Sequence, residues 1–552
     1  MNKLSRRQAL KRGALGAAGL ALAPFAGGWT SARPRTQTPL VLRPYPHPMM
    51  PAMGMVYASD ANGDAFKSPI EVAQEGVVLP DAMGEKPFAV NAKWYVEGFG
   101  FVWLEADNAG KLYTADDFRS GGVRSLNTEF ARSYVTRNAA TMERYGAAGT
   151  GFSPEVRHLH TLSQELLEDA ERRGGESGGE RANQSLLYAL WAGEKVELEH
   201  ASSVLATPRT DTFHFGCETR QYIWAKSEDM TERFVDAFDF ATVTHYVWDT
   251  WYPVFEPEEG VYRWGIKDEI VDWLVDHDIT VEGRPLVWFH PAVTPDWLKE
   301  KDFAGVRSYV ENHVRNVVGH YGDKIQHWEV VNEYHDWANI HDFTPEQITE
   351  VVRLACETTR DVNPDIVRLI NNCCPFAEYA ADGYTAHGSS LRPLRTPRKF
   401  VADLVEAEVP FETVGVQMYF PQRSLADIVR LVDRFEEFGK PVYISEIGAT
   451  SGPTRADVML ERMEMQGPLY DWHRPWDEEL QADWLEQLYT VLYARPYVHA
   501  LNWYDFADFR TFIPNGGLIR EDASPKLSYE RLQQLQAEWN RTPAEQRARN
   551  TH

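Results

Sequence analysis

Two glutamates stand where a pair of carboxyl groups could work on a glycosidic bond. Glu333 closes the segment "QHWEVVNE" and Glu446 closes "PVYISE", each at the end of a short, strand-like run. One carboxylic acid can protonate a leaving oxygen while the other attacks carbon or activates water. The acid must hold its proton near neutral pH, which takes a partly desolvated site or a negative neighbour. The second glutamate supplies the neighbour, and nearby aromatic residues supply walls. The chain carries 81 acidic residues, so a single strand-end glutamate means little. The pairing carries the weight.

Such a pair needs a scaffold that brings distant strand ends together. From about residue 210, short apolar runs alternate with amphipathic, helix-length segments. The runs are "FHFGCET", "ATVTHYVW", "TVEGRPLVWFH", "QHWEVVNE", "VRLINN", "VGVQMYF", "PVYISEIGAT" and "HALNWYDF". Eight such runs separated by helices predict an α/β fold, a (β/α)8 TIM barrel, whose active site lies at the C-terminal strand ends. The residues found there are His290, Asn332 with Glu333, Asn371 with Asn372, Gln417 with Tyr419, Glu446, and Trp503 with Asp505. Tyr334, His335 and Trp337 follow Glu333 and either line the cleft or cover it.

Six segments, in order, resemble glycoside hydrolase family 10, the xylanase family. "HWEVVNE" is similar to its W-D-V-V-N-E acid/base segment, and "VYISEIGAT" to its I-T-E-L-D nucleophile strand. "EPEEGVYRW", "GRPLVWFHPAVTPDWL", "VGVQMYF", and "NWYDFADF" with "GGLIREDASPKLSYERL" resemble its remaining motifs. The resemblance covers about residues 210 to 540. It implies a retaining, double-displacement glycosidase acting on a β-1,4-linked polysaccharide such as xylan. Glu446 would be the nucleophile and Glu333 the acid/base, with carboxyls roughly 5 Å apart. Asn332 would bind the sugar 2-hydroxyl, and Gln417 would orient the glutamate–sugar geometry. Trp288 and Trp503 would wall the reacting subsite. No metal or organic cofactor is implied.

The pattern departs from the family at the residues that touch the sugar or tune the nucleophile. The first-subsite strand lacks the usual Glu-Asn pair and Lys; His245, Trp248 and Trp251 stand there instead. Arg284 replaces a histidine, the histidine after Trp288 comes one place late as His290, and Tyr419 replaces another histidine. Tyr419 can donate to a carboxylate but carries no positive charge. Losing polar contacts to sugar hydroxyls changes selectivity strongly. Three readings follow: a xylanase-like enzyme, a related retaining β-glycosidase on another polysaccharide, and a barrel that binds glycan without cleaving it. Two strand-end glutamates with Asn332 and Gln417 argue against the third.

The rest of the chain frames this unit. A net charge of −25 over 552 residues argues against nucleic acid, which demands clustered Lys and Arg, and fits a neutral polysaccharide partner. Residues 1–32 have the layout of a twin-arginine export signal, with Arg6-Arg7 before an Ala/Gly/Leu run. The expectation is therefore a periplasmic or secreted protein with no membrane span once processed. Residues 33–55 read as a Pro-rich lead-in and 56–130 as a β-rich, sandwich-like accessory domain. Residues 131–208 read as a helical connector, 209–540 as the barrel and 541–552 as a polar tail. "RRGGESGGER" reads as a flexible break between two connector helices. Cys217, Cys356, Cys373 and Cys374 lack CxxC spacing and read as free thiols.

Overall fold

A computed structural model describes residues 39–50, 53, 56–79, 86–114, 116–117, 122–248, 253–420, 422–452 and 472–550. The export-signal segment 1–32 and Trp251 lie outside the described residues.

The eight runs form the closed parallel barrel that their alternation with helices predicts. Among the described residues eight strands precede it in chain order: β1 (Leu40–Arg43), β2 (Val56–Ser59), β3 (Ala65–Phe66), β4 (Glu71–Ala73), β5 (Gly76–Leu79), β6 (Ala89–Val96), β7 (Gly100–Ala106) and β8 (Gly122–Ser125). The barrel strands are β9 (His214–Glu218), β10 (Phe240–Thr244), β11 (Thr280–Arg284), β12 (His327–Asn332), β13 (Val367–Asn372), β16 (Thr413–Tyr419), β17 (Val442–Gly448) and β18 (Val498–Trp503). A two-stranded ribbon, β14 (Tyr384–Thr385) with β15 (Gly388–Ser389), sits in the loop after β13. β18 pairs back onto β9, so no barrel edge is left open.

Helices between the strands bury one face against the barrel. The helix Pro345–Val362 shows why they start where they do: Thr344 and Gln347 form a reciprocal capping box, and Pro345 opens the first turn. Its buried face is Ile348, Val351, Val352, Ala355 and Cys356, the spacing of one helical stripe.

The first eight strands make two four-stranded sheets, ordered β4-β5-β1-β8 and β3-β2-β6-β7. They share a core with the helices Leu126–Ala147 and Gly175–Leu205, built on Leu40, Leu42, Trp94, Leu104, Phe130 and Leu186. The sequence reading needs two adjustments here. The supposed lead-in contributes β1, because Leu40-Val41-Leu42 pairs antiparallel with β5 and parallel with β8. The glycine-rich stretch is not a flexible break. One residue, Gly174, interrupts the helix Pro154–Arg173, and Gly175–Leu205 resumes at once. These glycines permit close approach: a Cβ on Gly179 would meet Tyr45 Cβ at 2.7 Å, and one on Gly178 the Ala170 carbonyl oxygen at 2.7 Å.

Candidate active site

Glu333 follows the last residue of β12 in a left-handed conformation, φ +53°, that a non-glycine residue adopts at a cost of about 1 kcal/mol. Two backbone bonds hold it there: its N–H donates to the Asn371 carbonyl (2.9 Å) and its carbonyl accepts from Ala338 (3.0 Å). The turn aims the carboxyl at two donors. Trp288 Nε1 donates to Oε2 at 3.0 Å and Gln417 Nε2 donates to Oε1 at 2.9 Å.

Glu446 lies within β17, buried, with Gln417 as its direct partner across the β16–β17 ladder. Gln417 therefore sits beside one glutamate and bonds the other, and it also reaches Asn332 Oδ1 at 3.4 Å. Glu446 Oε1 accepts from Arg284 Nη2 and from Asn371 Nδ2, the latter at 3.0 Å; Oε2 accepts from the Tyr419 hydroxyl. Burial, reinforced by the negative Glu446, pushes the Tyr419 phenol well above its usual range, so it stays a donor. Arg284 is fully buried and stays charged at any physiological pH.

Below this layer the barrel interior holds further carboxyls. Glu329, on β12, lies 3.2 Å from Arg284 Nε and accepts from Asn371 Nδ2 at 2.9 Å. Burial pushes Glu329 well above the ordinary carboxyl range, and pushes Glu282 up to about 8. Glu218 is raised by burial as well and accepts from Thr242 at 2.7 Å. In this dry interior the neutral acid costs less than an unpaired carboxylate.

Not every sequence-predicted site residue reaches the mouth. Asn332, Gln417, Tyr419, Glu333, Glu446 and Trp288 gather as described. His290 is buried behind Trp288, ring centroids 5.1 Å apart, and its Nδ1 accepts from the Ala292 N–H. Trp503 is not a cleft wall. It is fully buried, its indole N–H bonds the Gly516 carbonyl (2.9 Å), and it packs edge-on to Trp484. His245 is not a sugar contact either. It projects from just past β10 into the layer between barrel and helices, where Nδ1 meets the Val243 carbonyl (2.8 Å) and Nε2 the Tyr321 hydroxyl (3.1 Å). Burial drives its pKa well below the usual histidine range. Tyr246, the next residue, takes the place at the mouth: its hydroxyl is 3.3 Å from that of Tyr504 and its ring 4.8 Å from Trp288.

Glu329, Tyr246 and Tyr504 were missed as site residues, whereas Arg284 was marked as an exchange near the nucleophile. Glu329 could have been found. It alternates with Trp328, which packs outward on His245, so it must face the barrel interior, where a carboxyl needs a partner. The "YHDW" stretch covers rather than lines. Tyr334 and His335 are buried, His335 bonds the Tyr379 hydroxyl (2.7 Å), and Asp336 forks onto Arg395.

Comparison with known proteins places this geometry. The profile of Glycosyl hydrolase family 10 matches residues 206–534. Endo-1,4-beta-xylanase B of Thermotoga neapolitana is 22% identical over 309 residues, 53% of this chain and 78% of its own length. A beta-1,4-xylanase of Dictyoglomus thermophilum is 27% identical over 208 residues, 35% of this chain and only 53% of that enzyme. Among solved structures, native xylanase 10B from Thermotoga maritima aligns with 62% of this chain and 99% of its own, at 19% identity and TM-score 0.44. The profile spans more than half of the 552 residues and contains both strand-end glutamates. This chain therefore belongs to glycosyl hydrolase family 10, enzymes that hydrolyse O-glycosyl bonds.

Proposed function

We propose that this protein is an exported, retaining glycoside hydrolase that cleaves a β-1,4-linked polysaccharide, with xylan as the leading substrate. The observation that carries the reading is the link between the two glutamates. Gln417 lies beside Glu446 in the sheet and donates to Glu333, so one side chain stands next to both carboxyl-bearing residues. In the first step Glu446 attacks the anomeric carbon and Glu333 gives its proton to the leaving sugar oxygen. In the second, Glu333 takes a proton from water, which displaces Glu446 from the glycosyl-enzyme. Retention at the anomeric centre follows from the two inversions. Export rests on the Arg6-Arg7 signal layout; among the described residues no helix is long and apolar enough to cross a membrane. The strands and helices ahead of the barrel serve in this reading as a bracing unit.

A second reading, a retaining β-glycosidase on another polysaccharide, draws support from one observation. Just past the strand that lacks the Glu-Asn pair stands Tyr246, its hydroxyl 3.3 Å from that of Tyr504. Aromatic hydroxyls there would select different sugar hydroxyls from a carboxylate and a lysine.

A panel of xylan, glucan, mannan and arabinan, read by product size and anomeric configuration, decides between them. Glu446→Ala and Glu333→Gln are each expected to lower hydrolysis of the preferred polysaccharide by at least about 10³-fold while the thermal transition is kept. A wild-type rate in either variant would show that the roles are misassigned. An inverted product would remove the double displacement.

A further inference from the structure

Three of the departures from the family pattern, on strands β11, β12 and β16, gather around one side chain, Glu446. Arg284 stands where the family has histidine, and Glu329 where its W-D-V-V-N-E segment has aspartate. Arg284 donates through Nη2 to Glu446 Oε1 and faces Glu329 Oε2 through Nε at 3.2 Å. Asn371 Nδ2 touches the same two oxygens, at 3.0 Å and 2.9 Å. The four residues close a ring, Glu446–Arg284–Glu329–Asn371, and each is buried. Ser445 steadies it from the side by donating to Asn371 Oδ1 at 2.5 Å.

From this ring we infer that Glu329 and Arg284 are a coupled pair of positioning residues for the nucleophile, two exchanges that work only together. The inference rests on Glu446 being that nucleophile. Glu329 never touches Glu446. It accepts a hydrogen bond from Asn371 and lies against Arg284, the two side chains that donate to Glu446 Oε1. A guanidinium is longer than an imidazole and presents its donors in a rigid fork. Glutamate is one methylene longer than aspartate, so exchanging only one partner leaves the fork without its matching acceptor.

The charges agree with this assignment. Two carboxylates around one buried guanidinium would leave a net negative charge in a dry interior, which is costly. Burial, with the nearby Glu446, Glu282 and Glu333 adding to it, holds the Glu329 carboxyl well above its ordinary range. Asn371 donates to Oε2, the oxygen that also faces Arg284 Nε, whereas Oε1 has no hydrogen-bond partner and can carry the proton. Arg284 then balances Glu446 alone.

The test is a cycle on an aryl β-glycoside of the preferred sugar: Arg284→His, Glu329→Asp and the double variant that restores the family pair. A misplacement near 1 Å costs about 10²-fold, so each single exchange should lower kcat by about that factor. KM should stay within about threefold, because ground-state binding is untouched. The double variant should fall no more than about threefold below the worse single, far from the product of about 10⁴ expected of independent residues. Singles within about threefold of wild type, or a double at the product, overturn the pairing. Where thermal melts show that a single fails to fold, Arg284→Lys and Glu329→Gln, closer in length, carry the same cycle. If the wild type hydrolyses neither the aryl glycoside nor any polysaccharide, the function reading has failed. An active wild type with an additive cycle refutes only the pairing.

Discussion

At the scale of single residues, the site is governed by which atoms face Glu333 and Glu446. Glu333 has a donor on each oxygen and a strained backbone that fixes its aim. Its proposed duty is to protonate the leaving oxygen, and that duty has a measurable signature. A leaving group that departs as a stable anion needs no proton. Glu333→Ala is therefore expected to lose about 10³-fold or more on polysaccharide but far less, by at least about tenfold, on a dinitrophenyl glycoside. Equal losses on both substrates would remove the acid role. His245 and Trp503 teach the converse. Each sits at or next to a strand end, yet each has its polar atoms taken by the protein itself, the fate of most large buried side chains with a polar tip.

At the scale of elements, the loops after β12 and β13 are as tightly specified as the strands. The β12 loop turns at Glu333 and again at Asp336, φ +78°. Asp336 is held by three donors from Arg395: the backbone N–H (2.8 Å), Nε (3.0 Å) and Nη2 (2.8 Å). Both partners are buried, so removing one leaves an uncompensated charge. Arg395→Met, close in volume, is expected to destabilise the protein by about 3–5 kcal/mol in denaturant unfolding. A change below about 1 kcal/mol would mean the pair is dispensable. The sequence showed the strand here and the loop residues Tyr334, His335 and Trp337, but not that residue 395 closes the loop, because 59 residues separate the partners.

At the scale of the whole molecule, the first strands and helices are bound to the barrel through charged and aromatic contacts. Arg430 of the helix Leu425–Asp433 bonds Glu105 of β7 (2.7 Å), Tyr134 bonds Asp427 (2.6 Å), and Arg495 bonds Glu197 (2.7 Å). Arg423 lies over the Trp103 ring (4.8 Å) and the Phe376 ring (4.2 Å). Glu105 gives this interface a pH dependence. Burial alone would raise its carboxyl, but Arg430 and Arg137 outweigh burial and hold it at about 2 rather than 4.5. A depressed carboxyl contributes stability above its unfolded pKa, and that stability is lost as pH falls from 4.5 toward 2. The loss amounts to about 3 kcal/mol. His335, pushed down to about 3 by burial, adds a loss that begins as pH falls below 6.5, where the unfolded ring takes up a proton. Unfolding free energy should therefore drop between pH 6.5 and 3, and Glu105→Gln should flatten the part below 4.5. A parallel drop in that variant would remove Glu105 from the account.

The sequence by itself determined the barrel and its eight strands, and it singled out Glu333 and Glu446 as a pair. Those follow from local periodicity and from the rule that parallel strands need crossover helices. It also marked Arg284 and Tyr419 as residues exchanged relative to the family. Only the tertiary structure decided what the exchanges do. Arg284, Glu329 and Tyr419 come from three strands and meet because barrel closure turns their inward positions toward one axis, a relation that spacing along the chain does not encode. The same closure decided against His245 and Trp503. Whether a side chain near a strand end faces the mouth or the helix layer depends on the local turn and on the neighbour that claims its polar atom.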